Sequence, residues 1–180
     1  MEFPEVIESK TKQELIDQVR SCHLALRDFY SSIPDEYFLS DPLPDGWTIQ
    51  RNIKHISSSN KFFAKWISAP SFLFKLLGKL KADPIPLKSI HATNRPGLTD
   101  YGQYPIGKKI SPSAKNEIIE RFILSGEIVC KAIEKRTEEE MHEFRGLVRG
   151  TNLNGLVYFI LKHAMHHTNV VKLRLSNSPK

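Results

Sequence analysis

Residues 156–175, LVYFILKHAMHHTNVVKLRL, contain the pattern that decides the fold. Their apolar positions recur at spacings of four and three, as in a helix that buries one face. His163 and His167 lie four residues apart on that same face. We therefore predict a long amphipathic helix from about Thr151 to Leu175, with two histidines directed inward.

Three further blocks show the same helical spacing. The first begins at the capping-box sequence of Thr11 and ends before Pro34. The second follows Thr48 as its N-cap, and the third has Pro112 in its first helical position. Four amphipathic helices of about twenty residues are typical of a four-helix bundle. The predicted fold is all-α, with a single domain over residues 1–180.

A long connection separates the second and third blocks. The stretch 83–110 contains four prolines and has no clear period. A connection of this length in a compact domain is typically a crossover, a lid or a binding segment. Because bundles with one long crossover are a recognised variant, we predict such a crossover between helices 2 and 3.

The excess of basic residues is confined to one segment. The chain has 26 Lys and Arg against 20 Asp and Glu, a formal charge of +6. Residues 47–82 hold seven of the basic residues and no acidic one. This segment can be a solvated helix face, a rim for an anionic substrate or a nucleic-acid surface. Since no recognition motif accompanies the charge, we expect no nucleic-acid partner.

Part of this basic segment, SFLFKLLGKLK at 71–81, is amphipathic. Leucines and phenylalanines on one side with lysines on the other are typical of a membrane-surface helix. Its length of about three turns favours a flap packed over the bundle, so we expect no stable membrane association. The N-terminal MEFPEVIESK has no apolar run, which predicts no signal peptide and a cytoplasmic location. Cys22 and Cys130 are too few for a disulfide framework.

The histidines are the side chains that indicate chemistry. His163 and His167 leave the same helix face and can converge on one cation. Ala164 replaces the glutamate of the helical HExxH zinc motif, so the base of that motif is absent. A register that pairs His163 with His166 is an alternative. Burial of the histidines in the core, with hydrogen bonds to carbonyls, is the alternative without a metal.

His55 is the candidate for a third ligand. It lies beside the apolar stripe of the second helix, and facing helices of a bundle supply ligands to one core site. Three neutral histidines with an open position are typical of a catalytic metal site rather than a closed structural one.

Two segments together resemble the DinB/YfiT-like proteins. GWTIQRNIKHI, in which Trp47 precedes His55 by eight residues, is similar to the second-helix signature of that family. HAMHH at 163–167 is similar to its HxxxH motif, and the doubled histidine is closest to the YfiT-type branch. The helix count and the long connection extend the resemblance over most of the chain. At 168–170 the sequence is TNV where the family commonly has Arg-Gly-Gln, so no role is carried over to these positions.

The resemblance implies a divalent metal, zinc or nickel, held by His55, His163 and His167. Characterised relatives include S-transferases and isomerases that use low-molecular-weight thiols. We therefore expect a metal-dependent enzyme that acts on a small molecule with a thiol cosubstrate, in which a metal-bound water or thiolate reacts. A non-catalytic metal- or ligand-binding bundle and a metal-dependent hydrolase are the alternatives.

Further residues are expected around this site. His166 and His23 are candidates for contact with the ligands rather than with the metal. Bundles of this kind often pair through an outer helix face, so a homodimer is one expected state. The candidate residues for a ligand-binding rim are Arg51, Lys54, Arg95 and Tyr101.

Overall fold

The computed structural model describes residues 2–38, 47–77, 80, 83–92 and 112–177. Within these ranges the regular structure is helical and no β-strand is present. The prediction of an all-α fold is therefore confirmed. The helices are α1 Lys12–Ser32, α2 Asp35–Phe38, α3 Ile49–Ile67, α4 Ser71–Leu77, α5 Pro112–Glu134, α6 Glu138–Glu143 and α7 Leu153–Asn177, with a 3₁₀ turn at Leu87–Ser89.

Helices α1, α3, α5 and α7 are the four long helices of the bundle. Helices α3 and α5 are parallel, because Asn60 of α3 bonds to Ser125 while Ile67, farther along α3, bonds to Arg136 beyond the end of α5. Two consecutive long helices can be parallel only if the chain returns along the bundle between them. The parallel order of α3 and α5 agrees with the long crossover predicted between the second and third helices, although residues 93–111 of that connection lie outside the described residues.

Helix α7 runs antiparallel to α3. Asn52 near the start of α3 contacts His167, whereas Phe63 near its end contacts Phe159, earlier on α7. The inward face of α7 therefore lies along α3, which places the histidines of both helices at the same level of the bundle.

The helix starts follow the predicted capping residues. Thr11 Oγ1 accepts a hydrogen bond from Glu14 N at 3.2 Å, and Thr48 Oγ1 accepts one from Arg51 N at 3.1 Å. The capping box of α1 is modified, because the Glu14 carboxylate accepts from Lys10 N instead of Thr11 N. These side chains satisfy backbone donors that the first turn of a helix leaves open.

Two buried basic side chains, Lys115 and Arg136, cap the C-terminal ends of helices. Lys115 Nζ donates to Ile33 O at 2.6 Å after the end of α1, and it also pairs with Asp35 at 2.8 Å. Arg136 Nε donates to Ile67 O at 2.6 Å at the end of α3. Cationic groups at these ends satisfy free carbonyls and interact favourably with the helix dipole.

The two cysteines belong to the core. Cys22 and Cys130 are both buried, and burial raises the pKa of each thiol to about 12. They therefore stay protonated at physiological pH and act as small apolar packing residues. In the described ranges, each helix is too short or too polar to cross a membrane.

Candidate metal centre

Three histidines from two helices meet in the bundle. His55 comes from α3, while His163 and His167 come from successive turns of α7. One ring nitrogen of each can be chosen so that all three lie within 4.8 Å of one another. Nε2 of His55 and Nε2 of His163 are 3.2 Å apart.

This spacing suits a metal ion. With metal–nitrogen distances of about 2.0–2.1 Å, two nitrogens of a tetrahedral site lie roughly 3.4 Å apart. The His55–His163 pair already has about that separation, and the third nitrogen lies within 4.8 Å of both. The donor set is three imidazoles, which suit zinc, copper, iron and nickel.

The three histidines differ in burial. His163 and His167 are only 8% and 4% exposed, because the inward face of α7 packs along α3. His55 is partly exposed, so part of its side chain remains accessible to solvent.

Asn52 orients His167. The Nδ1–H of His167 donates to Asn52 Oδ1 at 3.1 Å, which leaves Nε2 with its lone pair for the cluster. Asn52 is itself buried, and its Nδ2 donates to Thr48 O at 3.1 Å. A hydrogen bond to the far nitrogen sets the tautomer and the ring plane of a metal ligand. This role of Asn52 was not predicted from the sequence, although Asn52 lies about one turn before His55.

Aromatic rings orient the other two ligands. His163 stacks on Phe159 with centroids 5.6 Å apart, and in the described part of the chain its buried Nδ1 has no hydrogen-bond partner. Trp47 contacts His55 edge-on at 5.0 Å and stacks on His167 at 5.9 Å. Trp47, the tryptophan of the predicted signature, therefore packs against two of the three clustered histidines.

The surroundings keep the three imidazoles neutral. Burial, and then the neighbouring histidines, lowers the pKa of His163 to about 4 and also depresses the pKa of His167. Burial lowers the pKa of His55 as well, and the charge of Arg51 adds to this effect. Neutral imidazoles keep a free lone pair at physiological pH, which metal coordination requires.

A family comparison agrees with this fold and cluster. A sequence model of the DinB superfamily matches residues 18–171. This chain belongs to the DinB superfamily. The matched region contains all of α3 and the α7 residues up to 171, and thus the three clustered histidines. Neither the curated proteins nor the solved structures contain a match to the chain.

The structure of this DinB-superfamily chain places some of the other predicted site residues close to the cluster. The half-buried ring of His166 lies edge-on to His167 at 5.5 Å, so it is adjacent to a ligand. The Arg51 guanidinium lies 4.8 Å from the Trp47 ring centre, and Lys54 is exposed. Arg95 and Tyr101, also predicted for the rim, lie outside the described residues.

His23 lies in a second buried network of the DinB-superfamily fold. Its Nδ1–H donates to Val19 O at 2.8 Å, and its Nε2 accepts from Asn60 Nδ2 at 2.9 Å. The ring also stacks on Phe122 at 5.0 Å. Both ring nitrogens are thus used between α1 and α3, and neither partner is a candidate metal ligand. His23 was predicted to contact one of the metal-ligating histidines, and none of these hydrogen bonds or ring contacts is with one of them.

Proposed function

We propose that this DinB-superfamily chain is a metal-dependent enzyme that activates a low-molecular-weight thiol and transfers it to a second small molecule. The observation that supports the proposal is the convergence of one ring nitrogen from each of three histidines, of which His55 is partly exposed. A structural metal site would instead use all its coordination positions for protein ligands.

His55, His163 and His167 would hold a divalent ion, with zinc or nickel as the candidates. When bound, such an ion would lower the pKa of a coordinating thiol, so that its thiolate would be available as a nucleophile near neutral pH. The chain contributes the fixed directions of the three imidazoles through Asn52 and the aromatic walls.

The described cluster lacks the glutamate base of the HExxH proteases. Among the described residues, the three-histidine cluster contains no Asp or Glu. Ala164, at the position where HExxH proteases have their glutamate base, is fully buried. The proposal therefore uses no carboxylate base of the HExxH type.

Positive charge near His55 favours an anionic thiol. Lys54 is exposed on α3, one residue before His55. Positive charge near a binding site raises the local concentration of an anionic substrate. We therefore expect a thiol that carries carboxylate or phosphate groups.

Metal analysis tests the first half of the proposal. The purified protein should contain stoichiometric zinc or nickel, and His163→Ala should lose it. His23→Gln is the matched control, because it alters a buried histidine of the other network and should retain the metal. A wild-type protein without tightly bound metal would contradict the proposal.

A transfer assay tests the second half. Thiols with and without acidic groups should be incubated with electrophilic acceptors in the presence and absence of a chelator. We expect thiol consumption that the chelator abolishes and that is faster with acidic thiols. Metal-loaded protein that consumes no thiol would instead support the alternative of a non-catalytic metal- or ligand-binding bundle.

A further inference from the structure

Helix α4 turns most of its apolar residues away from the protein. Phe74 is 2% exposed, whereas Phe72 is 65% and Leu76 is 82% exposed. At 3.6 residues per turn, Phe72 and Leu76 lie on the side of the helix opposite to Phe74. The flap predicted for this segment therefore packs on the bundle through Phe74, with its larger apolar side outward.

Several contacts hold α4 in this orientation. Phe74 stacks on Phe144 with centroids 4.6 Å apart, and it contacts the edge of Trp66 at 5.4 Å. The Arg136 guanidinium lies 5.0 Å from the Phe74 ring centre and donates to Ser71 Oγ at 2.9 Å. These contacts fix which side of α4 is buried. The exposure of Phe72 and Leu76 therefore follows from the packing of Phe74 and not from fraying of the helix.

The exposed apolar residues of α4 form a cluster. Leu73 and Leu77 are 38% and 50% exposed, beside Phe72 and Leu76 on the same short helix. Apolar side chains clustered on a surface in this way mark interaction sites in soluble proteins. We name this surface the α4 patch; it consists of Phe72, Leu73, Leu76 and Leu77.

Positive charge borders the α4 patch. Lys75 is exposed on α4 itself, Lys61 and Lys65 are exposed on the last turns of α3, and the sequence has no acidic residue from 47 to 82. The carboxylate of Glu140 on α6 approaches α4 from its other side, where it accepts from Ser71 Oγ at 2.6 Å. Glu140 also pairs with Arg136 at 3.4 Å, which neutralises it.

We propose that the α4 patch binds the surface of an anionic membrane. Phe72 and Leu76 would enter the boundary between headgroups and acyl chains, and the bordering lysines would lie near lipid phosphates. A second copy of this chain fits the patch less well, because a symmetric pair would bring the lysines of both copies together. This inference is independent of the proposed thiol chemistry and revises the expectation of no stable membrane association.

Vesicle co-sedimentation tests the proposal with the full chain. The protein should sediment with vesicles of phosphatidylcholine and phosphatidylserine at low salt, and less with phosphatidylcholine alone. The double variant Phe72→Ser/Leu76→Ser should bind at least about tenfold more weakly, since both side chains lose apolar area that binding would bury. Leu124→Ser/Leu173→Ser is the matched control, since both leucines are exposed on α5 and α7, and it should bind like the wild type.

Three results would overturn this proposal. The wild type could stay in the supernatant with anionic vesicles at low salt, or the double variant could bind as well as the wild type. Light scattering could also show a wild-type dimer that becomes a monomer in the double variant, which would assign the patch to a second copy. Circular dichroism should show equal helix content in all variants, as expected for substitutions at exposed positions.

Discussion

Two buried histidine clusters in this DinB-superfamily chain use the same side chain in different ways. In the core network, His23 donates from Nδ1 to a backbone carbonyl and accepts at Nε2 from Asn60. In the candidate metal centre, the Nε2 atoms of His55 and His163 instead lie 3.2 Å apart, and one ring nitrogen of each of the three histidines lies within 4.8 Å of the others. Both clusters contain buried histidines, so the convergence of ring nitrogens is what distinguishes the candidate metal site from a packed histidine.

The buried atoms without hydrogen bonds also differ between the two clusters. In the described part of the chain, the core network leaves only the acceptor Asn60 Oδ1 without a partner. At the candidate metal centre, burial of His163 and His167 carries a desolvation cost, and within the same part of the chain His163 Nδ1 has no partner. A bound cation would offset this cost, so metal binding and folding stability should be coupled there.

Removal of a ligand should have the largest effect. We expect His163→Ala to bind zinc or nickel at least about a hundredfold more weakly, since loss of supporting residues alone typically costs 10–100-fold. Competition with a chromophoric chelator measures the affinity. If His23→Gln lost as much affinity as His163→Ala, the distinction between the two clusters would be wrong.

Removal of the residue that orients a ligand should have the next largest effect. Asn52→Ala deprives the His167 Nδ1–H of its acceptor and should weaken metal binding by about 10–100-fold. Asn52→Asp keeps an acceptor at this position and should remain close to the wild type. The same chelator competition measures both, and equal losses in the two variants would show that the hydrogen bond to His167 is not the cause.

Disruption of the core network should change stability without changing metal affinity. Asn60→Ala leaves the buried His23 Nε2 without its donor, which should lower the free energy of unfolding by about 1–2 kcal/mol. The loss is moderated because the variant also removes the unpartnered Asn60 Oδ1. Urea denaturation of metal-free protein measures the free energy of unfolding. Weaker metal binding by Asn60→Ala would contradict the prediction, because it would show that the two clusters are energetically coupled.

The pH dependence of stability should show the smallest difference. Burial lowers the pKa of His23 in the folded protein, so below about pH 6.5 the unfolded chain binds a proton that the folded chain does not. Stability contributed by neutral His23 is therefore present above that pH and is lost as the pH falls.

His23→Gln stays neutral at every pH and removes this one contribution. In metal-free protein, the fall in unfolding free energy from pH 7.5 to 5.5 should be smaller by about 1 kcal/mol in the variant. Urea denaturation at the two pH values measures this difference. Parallel pH profiles of the variant and the wild type would mean that His23 is already solvated or charged in the folded state.

Much of the fold was predictable because it depends on local signals. Helical spacing and the capping residues Thr11 and Thr48 placed α1 and α3, and Pro112 placed the start of α5. The buried cations at helix ends were not predictable, because Lys115 and Arg136 reach carbonyls about seventy to eighty residues away in sequence. A charged residue in a helical block is ordinarily expected on the surface.

The sequence by itself determined the helical blocks, the long crossover and the two inward histidines of α7, because periodicity and i, i+4 geometry are properties of a single helix. It also indicated His55 through its position beside the apolar stripe. The tertiary structure decided which histidines meet, since only the antiparallel packing of α3 on α7 brings His55 to His163 and separates His23 from both. It likewise decided that α4 turns its apolar side outward, because that orientation depends on the contacts of Phe74 with residues far along the chain.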